Sequence, residues 1–279
     1  FDGPRGIAFD STGNLYTNNH SQIFRIDPSG NLDQLDGVQG GPVGSIAISD
    51  ADTLYYTDRG GGKLLRWNPD GTSSVILDGI PFAENLVFGH DGTLYLTQMG
   101  MADVLKVDVE TGNNEVFAKD VCYFDPCFLA VDPEGDIWIR AIWYIHQFSP
   151  EGEEKPFIVD GETYPDGPST YNWHTSAGIA FDDQGGLYVA SYNSKLMYMA
   201  PDFPGTPDPT FTLEIVSPGF EASDLAVNST GVVYGTDLNL GQVIAFSQDG
   251  SSQVIYDHGF AGRAAVAVDS QDRLFIGMP

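Results

Sequence analysis

The amino-acid sequence contains little cysteine, little positive charge and no long apolar run. Cysteine accounts for 2 of the 279 residues, which excludes a scaffold built on many disulfides and a zinc site that needs several Cys or His ligands close together. Lysine and arginine total 12 against 39 aspartates and glutamates, so the formal net charge is −27. Such a surface repels phosphate backbones and anionic lipids, which excludes nucleic-acid and membrane partners. No apolar run reaches the roughly 18 residues of a membrane span.

Several functional motifs are also missing. The patterns GxSxG and HExxH and the glycine-rich phosphate loops do not occur, so the common signatures of α/β-hydrolases, zinc proteases and nucleotide-binding proteins are absent. No window shows the helical period of about 3.6 residues.

The first residues, FDGPRGIAFD, lack the charged and apolar regions of a signal peptide, so we expect that any such peptide is absent or already removed. We predict an extracellular or periplasmic location.

The chain is rich in turn-forming residues and contains an internal repeat. It contains 33 glycines and 17 prolines, a content typical of proteins built from turns. The stretch GIAFDSTGNLY near the N-terminus returns later as GIAFDDQGGLY, and weaker copies occur along the whole chain. The apolar residue that opens the second run of each copy recurs every 39–50 residues, at Leu15, Leu54, Leu94, Ile137, Leu187, Val233 and Leu274.

Each complete copy has the pattern of four short strands. An apolar run such as SIAIS is followed by a polar turn, a second run rich in Leu and Tyr, an alternating third run such as KLLRWN, and a weaker fourth. Runs of this kind with Gly, Asp and Asn between them predict antiparallel hairpins. A repeated unit of four strands and about 40 to 45 residues is the signature of a β-propeller blade.

The repeat therefore predicts an all-β fold, a β-propeller of four-stranded antiparallel blades in a single domain over residues 1–279. Seven units are present, so we predict seven blades; because the seventh unit stops after two strands, six blades are the alternative. One connection departs from the pattern. Residues 159–177, with the letters VDGETYPDGPSTYNWHTSA, are predicted to form a long loop insertion.

The two cysteines, Cys122 and Cys127, lie five positions apart in DVCYFDPC. This spacing permits a local disulfide in an oxidising compartment. The alternative is a pair of unlinked thiols, and the spacing alone does not decide between the two.

The letters GPRGIAFDSTGNLY resemble the NHL repeat, and the same pattern occurs in propellers of the SMP-30/gluconolactonase-like superfamily. The chain is also similar to the streptogramin (virginiamycin B) lyases. Gluconolactonase-like enzymes hold a divalent metal through Glu, Asn and Asp side chains placed just before first strands, and such oxygen ligands suit Ca²⁺. The resemblance implies a Ca²⁺ site here: Glu84 occupies one such position, Asn85 lies next to it, and Asp125 lies two residues before another.

Loops before first strands and turns after second strands of propeller blades share one face, where we expect a small molecule to bind. Glu84 is the candidate general base or metal ligand; an ion pair with Arg5 or Arg140 is the alternative role. His174 is the candidate proton carrier, since histidine titrates near neutrality. Arg140 is assigned to catalysis, as a group that stabilises an oxyanion. The candidate substrate-binding residues are Arg5, Arg59, Tyr171, Trp173 and Asn19.

The leading hypothesis is a secreted propeller that hydrolyses a lactone or ester, with Ca²⁺ polarising the carbonyl group. The first alternative is a non-catalytic NHL-type propeller that binds a partner protein or assembles extracellularly, which the sparse polar residues before the first strands favour. The second alternative is a metal-free enzyme that holds a small apolar substrate under a lid of Tyr171 and Trp173, as strictosidine-synthase-like propellers do.

Overall fold

The computed structural model describes most of the chain. The described residues are 6–98, 101–122, 127–141, 145–155, 157–159, 162–164, 178–191, 195–201, 210–218, 222–237, 239–257, 259 and 264–277. They form strands, turns and bends, and none of them lies in a helix; accordingly, no helix long and apolar enough to cross a membrane occurs among them. The chain divides into two compact units, residues 1–126 with 277–279 and residues 127–276.

The first unit contains three antiparallel sheets of four strands, each with its strands in chain order. The first strands of neighbouring sheets contact each other. The strands are β1 (Ile7–Phe9), β2 (Leu15–Asn18), β3 (Ile23–Ile26) and β4 (Leu32–Gln34); β5 (Val43–Ile48), β6 (Leu54–Asp58), β7 (Lys63–Asn68) and β8 (Thr72–Asp78); and β9 (Ala83–Phe88), β10 (Leu94–Gln98), β11 (Asp103–Val107) and β12 (Asn114–Ala118).

The remaining described strands form four sheets of four, six, four and two strands. They are β13 (Phe128–Val131), β14 (Ile137–Arg140), β15 (Ile145–Phe148) and β16 (Glu154–Lys155); β17 (Phe157–Val159), β18 (Glu162–Tyr164), β19 (Ile179–Phe181), β20 (Leu187–Ser191), β21 (Lys195–Pro201) and β22 (Thr210–Pro218); β23 (Ala222–Val227), β24 (Val233–Asp237), β25 (Gln242–Phe246) and β26 (Ser252–Asp257); and β27 (Ala265–Val268) with β28 (Leu274–Gly277).

Each of the seven predicted units thus has its own sheet within the described residues, and the seventh sheet has two strands there. The prediction of an all-β fold built from four-stranded antiparallel sheets is confirmed. The structure differs from the predicted loop insertion at its start. Strands β17 and β18 form an antiparallel hairpin, and β17 pairs in parallel with β22, because this stretch is rich in the aromatic and β-branched residues that favour strands. Residues 165–177 lie outside the described residues.

The core of the first unit lies between neighbouring sheets. Strands β6 and β10 are buried at every position, as expected for inner strands that are covered on both faces. Tyr56 is fully buried and still satisfies its hydroxyl, which accepts the Gln39 N–H at 2.9 Å and donates to Ser73 Oγ at 2.8 Å. The Leu–Tyr pairs of the first three repeats, residues 15–16, 54–55 and 94–95, are all buried and are therefore core positions of the first unit.

An aspartate or asparagine caps many of the hairpin turns. Between β1 and β2, Asp10 Oδ1 accepts the N–H groups of Thr12 at 3.1 Å and Asn14 at 2.9 Å. Asn228 accepts the equivalent bonds from Thr230 and Val232 between β23 and β24. Such a side chain takes the place of a backbone acceptor within the turn. Part of the acidity of the chain is therefore a structural requirement of its turns.

The capped turns predict a loss of stability in acid. Hydrogen bonds from neighbouring side chains lower the pKa values of Asp27, Asp108 and Asp249 below their ordinary value of 3.8. A carboxyl whose pKa is lower in the folded state stabilises the fold above its unfolded pKa, and this contribution disappears as the pH falls through the folded pKa. We expect the Asp27→Asn/Asp108→Asn/Asp249→Asn variant to lose less melting temperature than the wild type between about pH 5 and pH 2.

Circular dichroism melts across this pH range test that expectation. Asparagine is the matched replacement because Asn228 caps the corresponding kind of turn without titrating. The variant should melt below the wild type near neutral pH, because it lacks the contribution of the ionised carboxylates, and the two melting temperatures should converge in acid. Acid profiles that coincide throughout would contradict the role assigned to these three carboxylates.

Both cysteines, Cys122 and Cys127, are buried and disulfide-bonded. The structure thus decides between the two alternatives that the spacing left open. Because the bridge closes a short loop, we expect the Cys122→Ser/Cys127→Ser variant to lose about 2 kcal/mol of unfolding free energy. Urea denaturation with and without a reductant measures this loss, and the reductant should affect only the wild type. Equal stability of reduced and oxidised wild type would contradict the prediction.

Candidate functional site

Three first strands contain a β-bulge at the same place. Within the first unit, Gly44 and Ser45 of β5 lie opposite Thr57 alone, and Glu84 and Asn85 of β9 lie opposite Thr97 alone. In the second unit, residues 223–224 of β23 lie opposite Thr236 in the same way. A bulge bends the strand locally and changes the direction of its side chains. Glu84 therefore lies inside a first strand, within its bulge, and not just before the strand as the sequence analysis assumed.

The threonine hydroxyls fix these bulges. Thr57 Oγ1 accepts the Ser45 N–H at 2.9 Å in its own sheet and donates to the Glu84 carbonyl of the next sheet at 3.2 Å. Thr97 Oγ1 accepts the Asn85 N–H at 2.8 Å. The Glu84 backbone is thus held from the neighbouring sheet, and the residue after it from the strand opposite.

The Glu84 side chain forms an ion pair with Arg59, which follows β6 in the neighbouring sheet. Arg59 Nε lies 2.6 Å from Glu84 Oε2, and the two side chains are 28% and 11% exposed. The contact lacks hydrogen-bond geometry, so it is a close charge pair and not an aligned hydrogen bond. A carboxylate this well buried needs a compensating charge, and Arg59 supplies it.

The turn that carries Arg59 is held by a buried carboxylate. Asp58 Oδ1 accepts the N–H of Gly61 at 2.8 Å within the turn and the N–H of Gly41 at 3.0 Å from the preceding loop. The Arg59 N–H donates to the Pro42 carbonyl at 2.9 Å. These bonds fix the backbone of Arg59, so Asp58 has a structural function there.

A pocket of about 300 Å³ lies beside the ion pair. Its described lining consists of Arg59, Gly60, Gly61, Gly62, Gly79, Ile80, Pro81 and Phe82. Gly62 has a φ of +66°, and a Cβ there would approach the Ile80 carbonyl oxygen to 2.7 Å. One wall therefore has to be bare backbone. The volume is at the lower end of the range of small-molecule sites.

The structure brings together three of the predicted site residues, Glu84, Arg59 and Asn85, all in the first unit. The pairing of Glu84 with Arg59 adds a partner to the two predicted for it, Arg5 and Arg140. Arg140 is a fully buried residue of β14 in the second unit, and its predicted pairing stays a prediction. Asn19 caps its own turn, because its Oδ1 accepts the N–H groups of residues 21 and 22. The other predicted site residues lie outside the described residues: Arg5, Asp125, Tyr171, Trp173 and His174.

Asp224 is a candidate site residue that the sequence did not predict. It lies in the β23 bulge, where its carboxylate accepts the N–H groups of Leu225 and Val266, both at 3.0 Å. Burial raises the pKa of Asp224 to about 7, although these two hydrogen bonds act to lower it. The signal for this position is the pair Thr236–Asp237, which repeats Thr57–Asp58 and marks the strand opposite a bulge.

The donors around Glu84 fit calcium poorly. The guanidinium group of Arg59 lies where a cation would have to approach Glu84 Oε2, and like charges in one site repel each other. Among the described residues, no group of three or more His, Cys, Asp or Glu side chains is arranged to hold a metal. Asp125, the third predicted ligand, is outside the described residues. Glu84 is placed to hold an arginine.

Successive antiparallel sheets whose first strands contact each other are blades of a β-propeller, and solved structures confirm this class. A catalytically inactive virginiamycin B lyase variant from Staphylococcus aureus, in a structure with quinupristin, has a TM-score of 0.80 and 14% identity, covering 99% of this chain and 92% of that one. A streptogramin B lyase has a TM-score of 0.78 and 15% identity, covering 99% and 91%.

A nidogen/laminin complex structure is also similar, with a TM-score of 0.51 and 16% identity over 98% of this chain and 82% of that one. No protein-family model and no curated protein sequence matches the chain. At these identities the likeness concerns the fold. The predicted β-propeller and its similarity to the streptogramin lyases are confirmed, and the likeness to NHL and SMP-30 proteins stays a prediction.

Proposed function

We propose that this β-propeller binds a small ester or lactone beside Arg59 and hydrolyses it, with Glu84 as general base. The ion pair of Arg59 and Glu84 at the edge of the pocket carries the proposal. It places a cation and a carboxylate side by side in a partly desolvated position, where both act more strongly on a bound group than they would in water. Structures of virginiamycin B and streptogramin B lyases, which share the fold, give general support for a small-molecule ligand.

The chemistry divides between the two side chains. A guanidinium group has five N–H donors in a planar fork, so Arg59 can face Glu84 through Nε and still donate to a carbonyl oxygen. Glu84 takes a proton from water as the water oxygen bonds to the carbonyl carbon. Arg59 stabilises the resulting oxyanion. The C–O bond then breaks, and the proton passes from Glu84 to the leaving alkoxide, giving an acid and an alcohol, or a hydroxy acid from a lactone.

A calcium ion held by Glu84, Asn85 and Asp125 remains the alternative way to polarise the carbonyl. Such an ion would have to displace Arg59 from Glu84, so no step above depends on it. Catalysis by His174 and Arg140 and a lid of Tyr171 and Trp173 likewise stay proposals. The disulfide-bonded cysteines support the proposed extracellular or periplasmic location, because disulfides persist in oxidising compartments.

Binding of a partner protein is the second candidate function. The outer strand β26 is exposed along its length and carries Val254, Ile255 and Tyr256 with 45%, 39% and 41% of their surface accessible. Adjacent exposed apolar residues on an edge strand are a feature of interaction surfaces. A Val254→Lys/Tyr256→Lys variant that elutes and melts like the wild type but no longer captures a partner would support this candidate. Identical capture by both proteins would contradict it.

The hydrolase proposal is tested with a panel of small lactones and aryl esters, followed by proton release. Wild type and Arg59→Gln are compared with Lys63→Gln, a matched loss of one positive charge at the exposed Lys63–Asp78 pair. Activity that disappears in Arg59→Gln alone supports the proposal, and activity that is equal in all three proteins overturns it. Repeating the assay with EDTA separates the two mechanisms, since only the calcium alternative predicts inhibition.

A further inference from the structure

One wall of the pocket carries an aromatic ring that the fold does not explain. Phe82 is 57% exposed, and its backbone has a φ of +52°. Bulky L-residues rarely adopt this left-handed conformation, whereas glycine and asparagine do so at little cost. An exposed ring also returns little hydrophobic free energy in the free protein. For folding alone, phenylalanine is therefore a poor choice at this position.

The location of the ring points to a ligand. Phe82 lies immediately before β9 and two residues from Glu84, and it lines the same pocket as Arg59. Strained backbone and exposed apolar surface both concentrate at functional sites. Phe82 has both features, and it lies two residues from Glu84 in the ion pair to which the reaction is assigned.

The pocket lining also limits the chemistry of the ligand. Among the described lining residues, Arg59 carries the only charge, and it is positive, in a chain whose formal net charge is −27. The other side chains, Ile80, Pro81 and Phe82, are apolar, and the glycines add none. A carbonyl or carboxylate group suits the arginine, and a ring suits the face of Phe82, where aromatic groups stack or meet edge to face.

We propose that the substrate is an aryl-substituted ester or lactone, such as a phenylacetic ester or a γ-aryl lactone, whose carbonyl group binds Arg59 and whose ring packs on Phe82 and Pro81. The position of the reacting carbonyl rests on the proposed hydrolase function. The ring contact rests on the pocket itself, so it is tested with an unreactive ligand.

The test compares the binding of phenylacetate and acetate by titration calorimetry. For Phe82→Gly we expect about tenfold weaker phenylacetate binding, unchanged acetate binding, and a melting temperature equal to or above that of the wild type. Phe82→Asn, which tolerates the same backbone, is the second variant. Two controls leave the pocket intact: Ala102→Gly relieves a similar φ of +62° elsewhere, and Leu32→Ala removes another exposed apolar side chain.

The outcomes separate the two proposals. Phenylacetate binding that is equal in wild type and both Phe82 variants overturns the ring contact. A fall in melting temperature in both variants also counts against the proposal, since it shows that the fold itself needs the ring. Ring-dependent binding without hydrolysis of any panel member contradicts the hydrolase and leaves the ring contact standing. Hydrolysis that shows no preference for γ-phenyl-γ-butyrolactone over γ-butyrolactone contradicts the substrate class alone.

Discussion

Glu84→Gln is expected to lower the rate of ester or lactone hydrolysis by about 10²- to 10⁴-fold, the usual contribution of a positioned general base. The amide keeps the size of the side chain, but it carries no charge and cannot take a proton from water. The loss should therefore appear in kcat, with KM nearly unchanged. Steady-state kinetics on the best substrate of the lactone and ester panel measure both constants.

Two comparisons show whether Glu84 acts on the substrate or only holds Arg59. Glu110→Gln removes an exposed carboxylate from a turn of the first unit and should leave the kinetics unchanged. The Glu84→Gln/Arg59→Gln double variant should be little worse than the more damaging single variant, because residues that act as a unit are strongly non-additive. A Glu84→Gln enzyme with wild-type kcat and a raised KM would reduce Glu84 to a positioning residue.

The fold could be predicted because apolar core residues recur at equivalent positions of the sequence repeats. Leu54 and Tyr55, like Leu94 and Tyr95, are buried in the inner strands of their sheets, and an aliphatic residue followed by an aromatic one recurs at the equivalent position of every repeat. The turns between strands are equally regular, since an Asp or Asn cap followed by glycine satisfies a hairpin locally. Features that depend only on the local sequence of a blade can therefore be predicted from a single amino-acid sequence.

The site could be predicted only in part, because its contacts join different blades. The sequence predicts Glu84 as a general base or metal ligand and Arg59 as a substrate-binding residue, but it does not predict that the two side chains form an ion pair. The pairing depends on the β9 bulge, which directs Glu84, and on the cap at Asp58, which fixes the turn of Arg59. The strand pattern of a sequence predicts neither the direction in which a bulge turns its side chains nor which loops of neighbouring sheets approach each other.

The acidity of the chain shows the same division between scaffold and site. The acidic composition alone is compatible with several environments and does not indicate a function. In the structure, many carboxylates have local structural functions, and Asp52 bridges two sheets by accepting the Ser11 N–H at 2.7 Å and its hydroxyl at 2.5 Å. Glu84 is different because its partner is a side-chain cation beside a pocket. The partner of Glu84, and not the number of carboxylates in the chain, is therefore what makes it the candidate site residue.

Thr57→Val is expected to lower the free energy of unfolding by about 2 to 5 kcal/mol, because two buried backbone groups lose the hydroxyl that serves them. Thr57 is fully buried, and valine has nearly the same shape, so packing changes little. What disappears is the acceptor of the Ser45 N–H and the donor to the Glu84 carbonyl. The second bond links neighbouring sheets, so its loss should also move Glu84 relative to Arg59 and reduce hydrolysis.

Thr57→Ser and Thr17→Val are the matched controls for this prediction. Serine keeps the hydroxyl, so Thr57→Ser should recover most of the stability and the activity. Thr17 makes one bond, to the Gly6 carbonyl at 3.1 Å, in a less buried position, so Thr17→Val should cost about 1 kcal/mol and leave kcat unchanged. Urea denaturation gives the free energies, and kinetics well below the melting temperature give the activity. If Thr57→Val proved as stable and active as Thr57→Ser, the hydroxyl would not be what couples the blades and holds Glu84 in place.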